Sequence, residues 1–183
     1  MISFIANLIN EMSNNPDTIA IFALVVSIFS IAIGFSGLLI QRRHNILSVR
    51  PIGNIGLFQS PNTIGIHITN NGTGPMIIKS VETENNEGIK KNYPVDWIPI
   101  EYRQFFWGNL EETSLLNGTK VDILGFKFNP NDPKEEQKRD EIRSILKSLT
   151  IHVKYTDIYN KYQPELIKKF DHFGNQTWPS KKD

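Results

Sequence analysis

The side chains in this sequence that are capable of chemistry are few and scattered. The four histidines, His44, His67, His152 and His172, include no pair at a metal-ligand spacing. There is no cysteine, which excludes disulfides, thiolate zinc sites and cysteine nucleophiles but assigns no compartment. His67 and His152 lie in runs of alternating polarity, and the alternation turns both away from their Ile and Val neighbours. They read as solvent-facing strand residues. A shared two-histidine site would need them on adjacent strands, which spacing alone does not decide.

Asp157, in Tyr155-Thr156-Asp157-Ile158-Tyr159, shares the inward phase of Ile151, Val153 and Tyr155. A carboxylate at the end of an inward-facing strand takes backbone N–H groups from the following turn, so Asp157 is expected to be a structural cap. Gly72-Thr73-Gly74 is followed by a strand pattern rather than a helix, which argues against a nucleotide-binding loop. The charges of Lys134 to Glu141 alternate in sign and read as the wet face of a helix. No nucleophile elbow, phosphate loop or paired catalytic carboxylates stand out. The expectation is a non-enzyme with no metal, no cofactor and no small-molecule substrate.

The element that organises everything else is the run from Thr18 to Ile40. Between Ile19 and Ile40 there is no charge, Pro, Asn or Gln. As a helix these 22 residues would span ~33 Å, enough for the ~30 Å hydrocarbon core of a bilayer. The expected organisation is an amphipathic extracytoplasmic segment at 1–17, a transmembrane helix at 18–41 and a linker at 42–50. A β-sandwich domain at 51–176 and a loose tail at 177–183 follow. In the first segment Ile2, Ile5, Ile9 and Met12 line one side, opposite Ser3, Asn7, Asn10 and Glu11. A cleavable signal peptide is the competing reading. Against it stand the missing basic n-region, the length of the apolar run and the absence of a small-x-small site.

All 20 Lys and Arg residues follow Ile40, together with 17 of the 19 acids. The net charge of +1 gives no field for nucleic acid. Arg42 and Arg43 directly follow the apolar run, whereas the preceding flank carries no basic residue, which places residues 41–183 in the cytoplasm. In that compartment the glycosylation-type triplets at Asn71, Asn117 and Asn175 carry no meaning.

Along the apolar run, Ala20, Ala23, Ser27, Ser30, Gly34 and Gly37 are separated by 3, 4, 3, 4 and 3 residues, a heptad seam. Six of the eight small residues between Ile19 and Ile40 lie on it. Small residues let two helix backbones approach, so the seam predicts self-association or pairing with another membrane helix.

Beyond Pro51 the period shortens to two. Ile64, Ile66 and Ile68 mark one strand, and Met76 to Val81, Val121 to Phe128, Ile151 to Tyr155 and Glu165 to Phe170 mark others. Asp132-Pro133-Lys134-Glu135 opens a helix, with Glu135 at the capping-box position. Its apolar face is Ile142, Ile145, Leu146 and Leu149. Tyr93 to Leu110 has no clean period and reads as a long connection packed by its aromatics. In Asn70 to Pro75, Asn71 is expected to bond its own backbone two residues on, Gly72 and Gly74 to take positive φ, and Pro75 to start the next strand.

The residues Asn70, Gly72, Gly74 and Pro75, then Tyr155, Asp157 and Tyr159, resemble a loosely defined group of uncharacterised bacterial single-pass membrane proteins. Their soluble domain is immunoglobulin-like. The resemblance implies a mainly β fold, an Ig-like sandwich behind an N-terminal transmembrane helix, here with one inserted surface helix. It carries no catalytic residue. Met76 departs from the small residue that commonly follows the proline.

The expected function is a non-enzymatic interaction module that scaffolds a partner, or itself, at the inner face of the membrane. Two alternatives are a membrane-perturbing effector of bacterial stress or anti-phage response, and a hydrolase with an unrecognised site.

Overall fold

The computed structural model describes residues 7, 16–60, 62–106, 108–129 and 131–175. Of the expected amphipathic segment at 1–17 only Asn7, Pro16 and Asp17 are described; the rest of it and the expected tail lie outside the described residues, as does Trp107. The chain divides into two compact units, Met1–Leu47 and Ser48–Asp183.

In the first unit, helix α1 (Pro16–Ser48) is 33 residues long and buries none of them. It is long and apolar enough to cross a membrane. Asp17 sits in its first turn, where a negative charge complements the helix dipole. The helix passes the expected boundary at 41 and continues through Arg42, Arg43 and His44, so most of the expected linker is helical. The reason is local. No Gly or Pro interrupts Gln41 to Ser48, and the first breaker is Pro51, which pushes Arg50 out of the helical region.

The second unit is built from β1 (Gly53–Ser60), β2 (Thr63–Asn70), β3 (Met76–Asn85), β4 (Lys90–Lys91), β5 (Phe105–Phe106), β6 (Ser114–Leu115), β7 (Lys120–Lys127), α2 (Pro133–Leu146), β8 (Leu149–Thr156), β9 (Leu166–Lys169) and α3 (His172–Asn175). These strands form two antiparallel sheets. The first runs β1-β2-β7-β5, and the second runs β4-β3-β8-β9 with β6 also paired to β3. Alternation explains the core. Ile64, Ile66 and Ile68 of β2 point inward with Val121, Leu124 and Phe126 of β7. They join Ile78 and Val81 of β3 and Ile151 and Val153 of β8 in one buried cluster. Each such side chain removed from water contributes about 1.5–3 kcal/mol before entropy is counted.

Asp132 caps α2 by accepting from the Lys134 backbone N–H at 2.9 Å. The expected capping box does not close. The Asp132 N–H donates to Asn129 O at 3.2 Å, and Glu135 instead lies 3.8 Å from Lys138. Ile142 and Leu146 are fully buried in the core. Arg139 departs from the expected wet face: it is 8% exposed and pairs with Glu136 and Asp140, each at 3.2 Å.

The 93–110 connection makes two 3-10 turns, Pro94–Trp97 and Ile100–Tyr102, before reaching β5. Tyr93, Trp97 and Tyr102 pack on the core, whereas Phe105 and Phe106 are exposed. The aromatics of this stretch therefore do two different jobs.

Four segments share one end of the β unit: the entry at 48–52, the β2–β3 turn at 71–75, the β6–β7 turn at 116–119 and the β8–β9 connection at 157–165. The antiparallel registers require it, since Gly53 pairs with Asn70, Thr69 with Lys120, Met76 with Leu115 and Ile77 with Thr156.

Candidate functional site

The outer face of the first sheet carries an unusual row. Phe58 of β1 is registered against Gly65 of β2, Gly65 against Gly125 of β7, and Gly125 against Phe105 of β5. Two aromatics thus flank two glycines across four strands. The Phe58 ring lies over Gly65, where a Cβ would collide with it. Gly125 is different, because an added Cβ there would meet Phe105 only at 3.6 Å, an ordinary contact. The result is a groove of about 600 Å³ with Phe58 and Phe105 as its walls. Thr63, Lys127 and Gln104 edge the groove on one side of the glycine row, and Asp122 edges it on the other. Glycine inside a strand marks a place where something else approaches the backbone.

One row further along, His67 of β2 faces Asp122 of β7. A β-bulge produces this pairing. Ile66 pairs with Leu124 but His67 pairs with Asp122, so Ile123 is the extra residue. Without the bulge, Ile123 would stand opposite His67. The His67 ring lies over Gly56 of β1, and its centroid is 5.9 Å from that of Phe58. His67 Nδ1 and Asp122 Oδ1 are buried without a hydrogen-bond partner, although Lys120 Nζ lies 3.7 Å from that oxygen. Burial lowers the pKa of His67 from the usual histidine value and Lys120 lowers it further, with Asp122 acting in the opposite sense. The imidazole is therefore held neutral, able to donate from one nitrogen and accept at the other.

His152 is on β8 of the second sheet, so the two strand histidines belong to different sheets and form no common site. His152 Nδ1 is 3.8 Å from Glu165. Among the described residues, no group of three or more His, Asp or Glu is placed to hold a metal ion.

The turn after β2 corrects the sequence reading twice. First, the amide that organises it is Asn70, not Asn71. Asn70 is fully buried, and its Oδ1 accepts from Gly72 N at 3.0 Å and Ile52 N at 3.2 Å. Its Nδ2 donates to Gly74 O at 2.7 Å and Leu115 O at 2.9 Å. Asn71 is exposed, with its backbone N–H on Ile52 O. Second, Gly72 and Gly74 do not have positive φ; Gly88 and Gly118 do. The constraint on them is room. A Cβ on Gly74 would overlap the Val49 carbonyl, and one on Gly72 would overlap the backbone of Arg50 to Ile52. Pro75 immediately precedes β3.

Asp157 is 2% exposed. Its Oδ1 accepts from Tyr159 N at 2.9 Å and Lys161 N at 3.0 Å, and its Oδ2 accepts from Gln163 Nε2 at 3.1 Å. Gln163 Oε1 in turn accepts from Arg50 Nε at 2.8 Å, joining the β8–β9 connection to the entry segment.

On α1, Ala20, Ala23, Ser27, Ser30, Gly34 and Gly37 are all exposed. Ser27 and Ser30 donate to the carbonyls of Ala23 and Val26, at 2.7 and 2.8 Å. Their protons are therefore engaged within the helix, and across a helix pair each hydroxyl would act as an acceptor.

Sequence reasoning missed Phe58, Gly65, Gly125, Phe105 and Asp122 as a group. The usable signal was a glycine in the outward phase of a strand pattern, at Gly65 beside Ile64 and Ile66. No protein-family model matches the chain, and no curated protein is significantly similar to it.

Proposed function

We propose that this chain is a single-pass membrane-anchored interaction module, with no enzymatic activity and no cofactor, that holds a protein partner at the inner face of the membrane. The observation that carries the binding role is the Phe58–Gly65–Gly125–Phe105 row. An apolar side chain from an extended segment of the partner fits between two aromatic walls over glycine, with the Lys127 ammonium at hand for its polar end. The anchor is α1, and Arg42 and Arg43 favour a cytoplasmic β unit.

The fold inferred for that unit is an immunoglobulin-like sandwich. Its support is strand order: β1-β2-β7-β5 corresponds to A-B-E-D, and β4-β3-β8-β9 to C′-C-F-G. This is consistent with the resemblance carried by Asn70 to Pro75 and Tyr155 to Tyr159. The small-residue seam on α1 supports self-association as a second way for the anchor to gather copies.

The test is to fill the groove. Gly125→Val in the full chain suits a strand, and its Cβ would meet Phe105 only at ordinary contact distance. It should abolish photocrosslinking of a partner to a probe at Phe105, while Glu87→Ala, at the β3–β4 turn, should leave it intact. Equal crosslinking in both variants would exclude the groove. Reporter fusions after Asp183 test the orientation: bright cytoplasmic fluorescence with an inactive alkaline phosphatase is expected, and the reverse would overturn it.

A further inference from the structure

We infer that the loop end of the β unit is a lipid-contacting surface that rests on an anionic bilayer leaflet; this builds on the membrane-anchor reading above. Three of the four segments at that end expose Ile52, Leu116, Ile158, Tyr159 and Tyr162, each residue 46–66% open. They make up five of the ten exposed large apolar or tyrosine side chains described in Ser48–Asp183, gathered on three short segments. Tyrosine with aliphatic neighbours is the composition found at membrane–water interfaces, where the ring sits among acyl-chain ends and the hydroxyl among headgroups.

The charge at this end has the matching sign. Arg50 and Lys161 are exposed there. The two acids of these segments do little to offset them. Asp157 is buried and engaged by the turn, and Glu165 lies at the far end of its connection, beside His152. Each basic group near an anionic leaflet adds to the attraction, and salt screens it beyond a Debye length.

Chain continuity supplies the occupant. The apolar run ends at Ile40, and Gln41 to Ser48 continue as helix. Eight residues rise ~12 Å. The headgroup layer accounts for roughly 5–8 Å of that on each side of the bilayer. The tether from the headgroup layer to Ser48, the first residue of the β unit, is therefore only about as long as a tyrosine side chain. A soluble partner would have to enter that gap, whereas the leaflet already fills it. Rigid turns make the surface durable. Asn70, with four side-chain hydrogen bonds, and Asp157, with three, fix the backbone that presents these residues.

The chain contains no cysteine, so single cysteines can carry a fluorophore such as NBD. The full chain is reconstituted in vesicles of phosphatidylcholine and phosphatidylglycerol (3:1) that contain quencher lipids labelled either at the headgroup or deep in the acyl chain. Labels at Leu116→Cys and Tyr162→Cys should be quenched at least twofold more by the shallow quencher than a label at Ile100→Cys, which is exposed elsewhere on the unit. A label at Phe35→Cys should respond to the deep quencher, which tests the anchor separately. Phe35 quenched deeply, with Leu116 and Tyr162 no different from Ile100, would overturn the surface and leave the anchor standing. Phe35 unquenched would overturn the anchor reading and this inference with it. Shallow quenching that vanishes when protein is diluted tenfold into lipid would assign the surface to a second copy and overturn the lipid. In vesicles of phosphatidylcholine alone, or with Arg50→Gln and Lys161→Gln combined, the twofold difference should shrink; an unchanged difference would overturn the anionic preference.

Discussion

Glycine serves opposite ends in two regions of the β unit. At the loop end, Gly72 and Gly74 are pressed against the backbone of Val49 to Ile52, and a side chain has nowhere to go. On the outer face of the first sheet, Gly56 and Gly65 are covered by the movable rings of His67 and Phe58, and Gly125 lies under open space up to Phe105. In one region the missing side chain closes the structure. In the other it leaves a trough. The difference lies in what stands opposite each glycine: fixed backbone, a ring that can rotate away, or nothing.

That ordering can be broken by measurement, using urea unfolding of residues 48–183. The largest effect is expected from Asn70→Ala. It strands two N–H groups and two carbonyls in a closed turn, and about 3–4 kcal/mol should be lost, since each buried unsatisfied group costs about 1–3 kcal/mol and the costs overlap. Gly74→Val should follow at about 2–3 kcal/mol, the range for overpacking against atoms that cannot retreat. If Gly74→Val melts with the wild type, the close approach of Val49 is not a constraint. Gly65→Ala should cost about 1 kcal/mol, because Phe58 can leave its rotamer at a cost of that order. Gly125→Val should fall within about 0.5 kcal/mol of wild type, strand propensity offsetting its contact with Phe105. A loss at Gly125 equal to that at Gly74 would erase the distinction between the regions.

The smallest effect concerns pH. His67 has a lowered pKa in the folded unit, so between that value and the unfolded value near 6.5 the unfolded chain binds a proton that the folded chain does not. The contribution of His67 to stability is therefore full above pH ~6.5 and declines as pH falls through the folded value. The urea midpoint should drop less between pH 7.5 and pH 5.5 in His67→Gln than in wild type. Identical drops would mean that the burial of His67 does not reach its titration.

The elements most legible in the sequence were those written in one local pattern. Ile64, Ile66 and Ile68 mark β2 by alternation alone, and Asp132-Pro133 marks the start of α2. The strand β1 was not legible. Gly53 and Gly56 lower its strand propensity, and Leu57-Phe58 breaks its alternation, because Phe58 points outward over Gly65. Asn70 and Asn71 are equally good turn formers locally. The choice between them is made by Ile52, 18 positions back, and Leu115, 45 positions on. The groove is harder still, since it exists only through the register of four strands and a bulge at Ile123.

Gln104 adds a consequence of another kind. Its carboxamide accepts from the Lys127 N–H at 2.7 Å and donates to the Lys127 carbonyl at 3.1 Å, as a partner strand would. The adjoining strand β5 is only two residues long, so a stretch of β7 would otherwise present open ladder groups at the margin of the sheet. Such margins recruit other chains and seed aggregates. A chain anchored as proposed above would meet its own copies at high local density, where accidental strand pairing is hardest to avoid. A single glutamine thus acts as a safeguard for solubility, blocking the sheet margin with one side chain instead of a full strand.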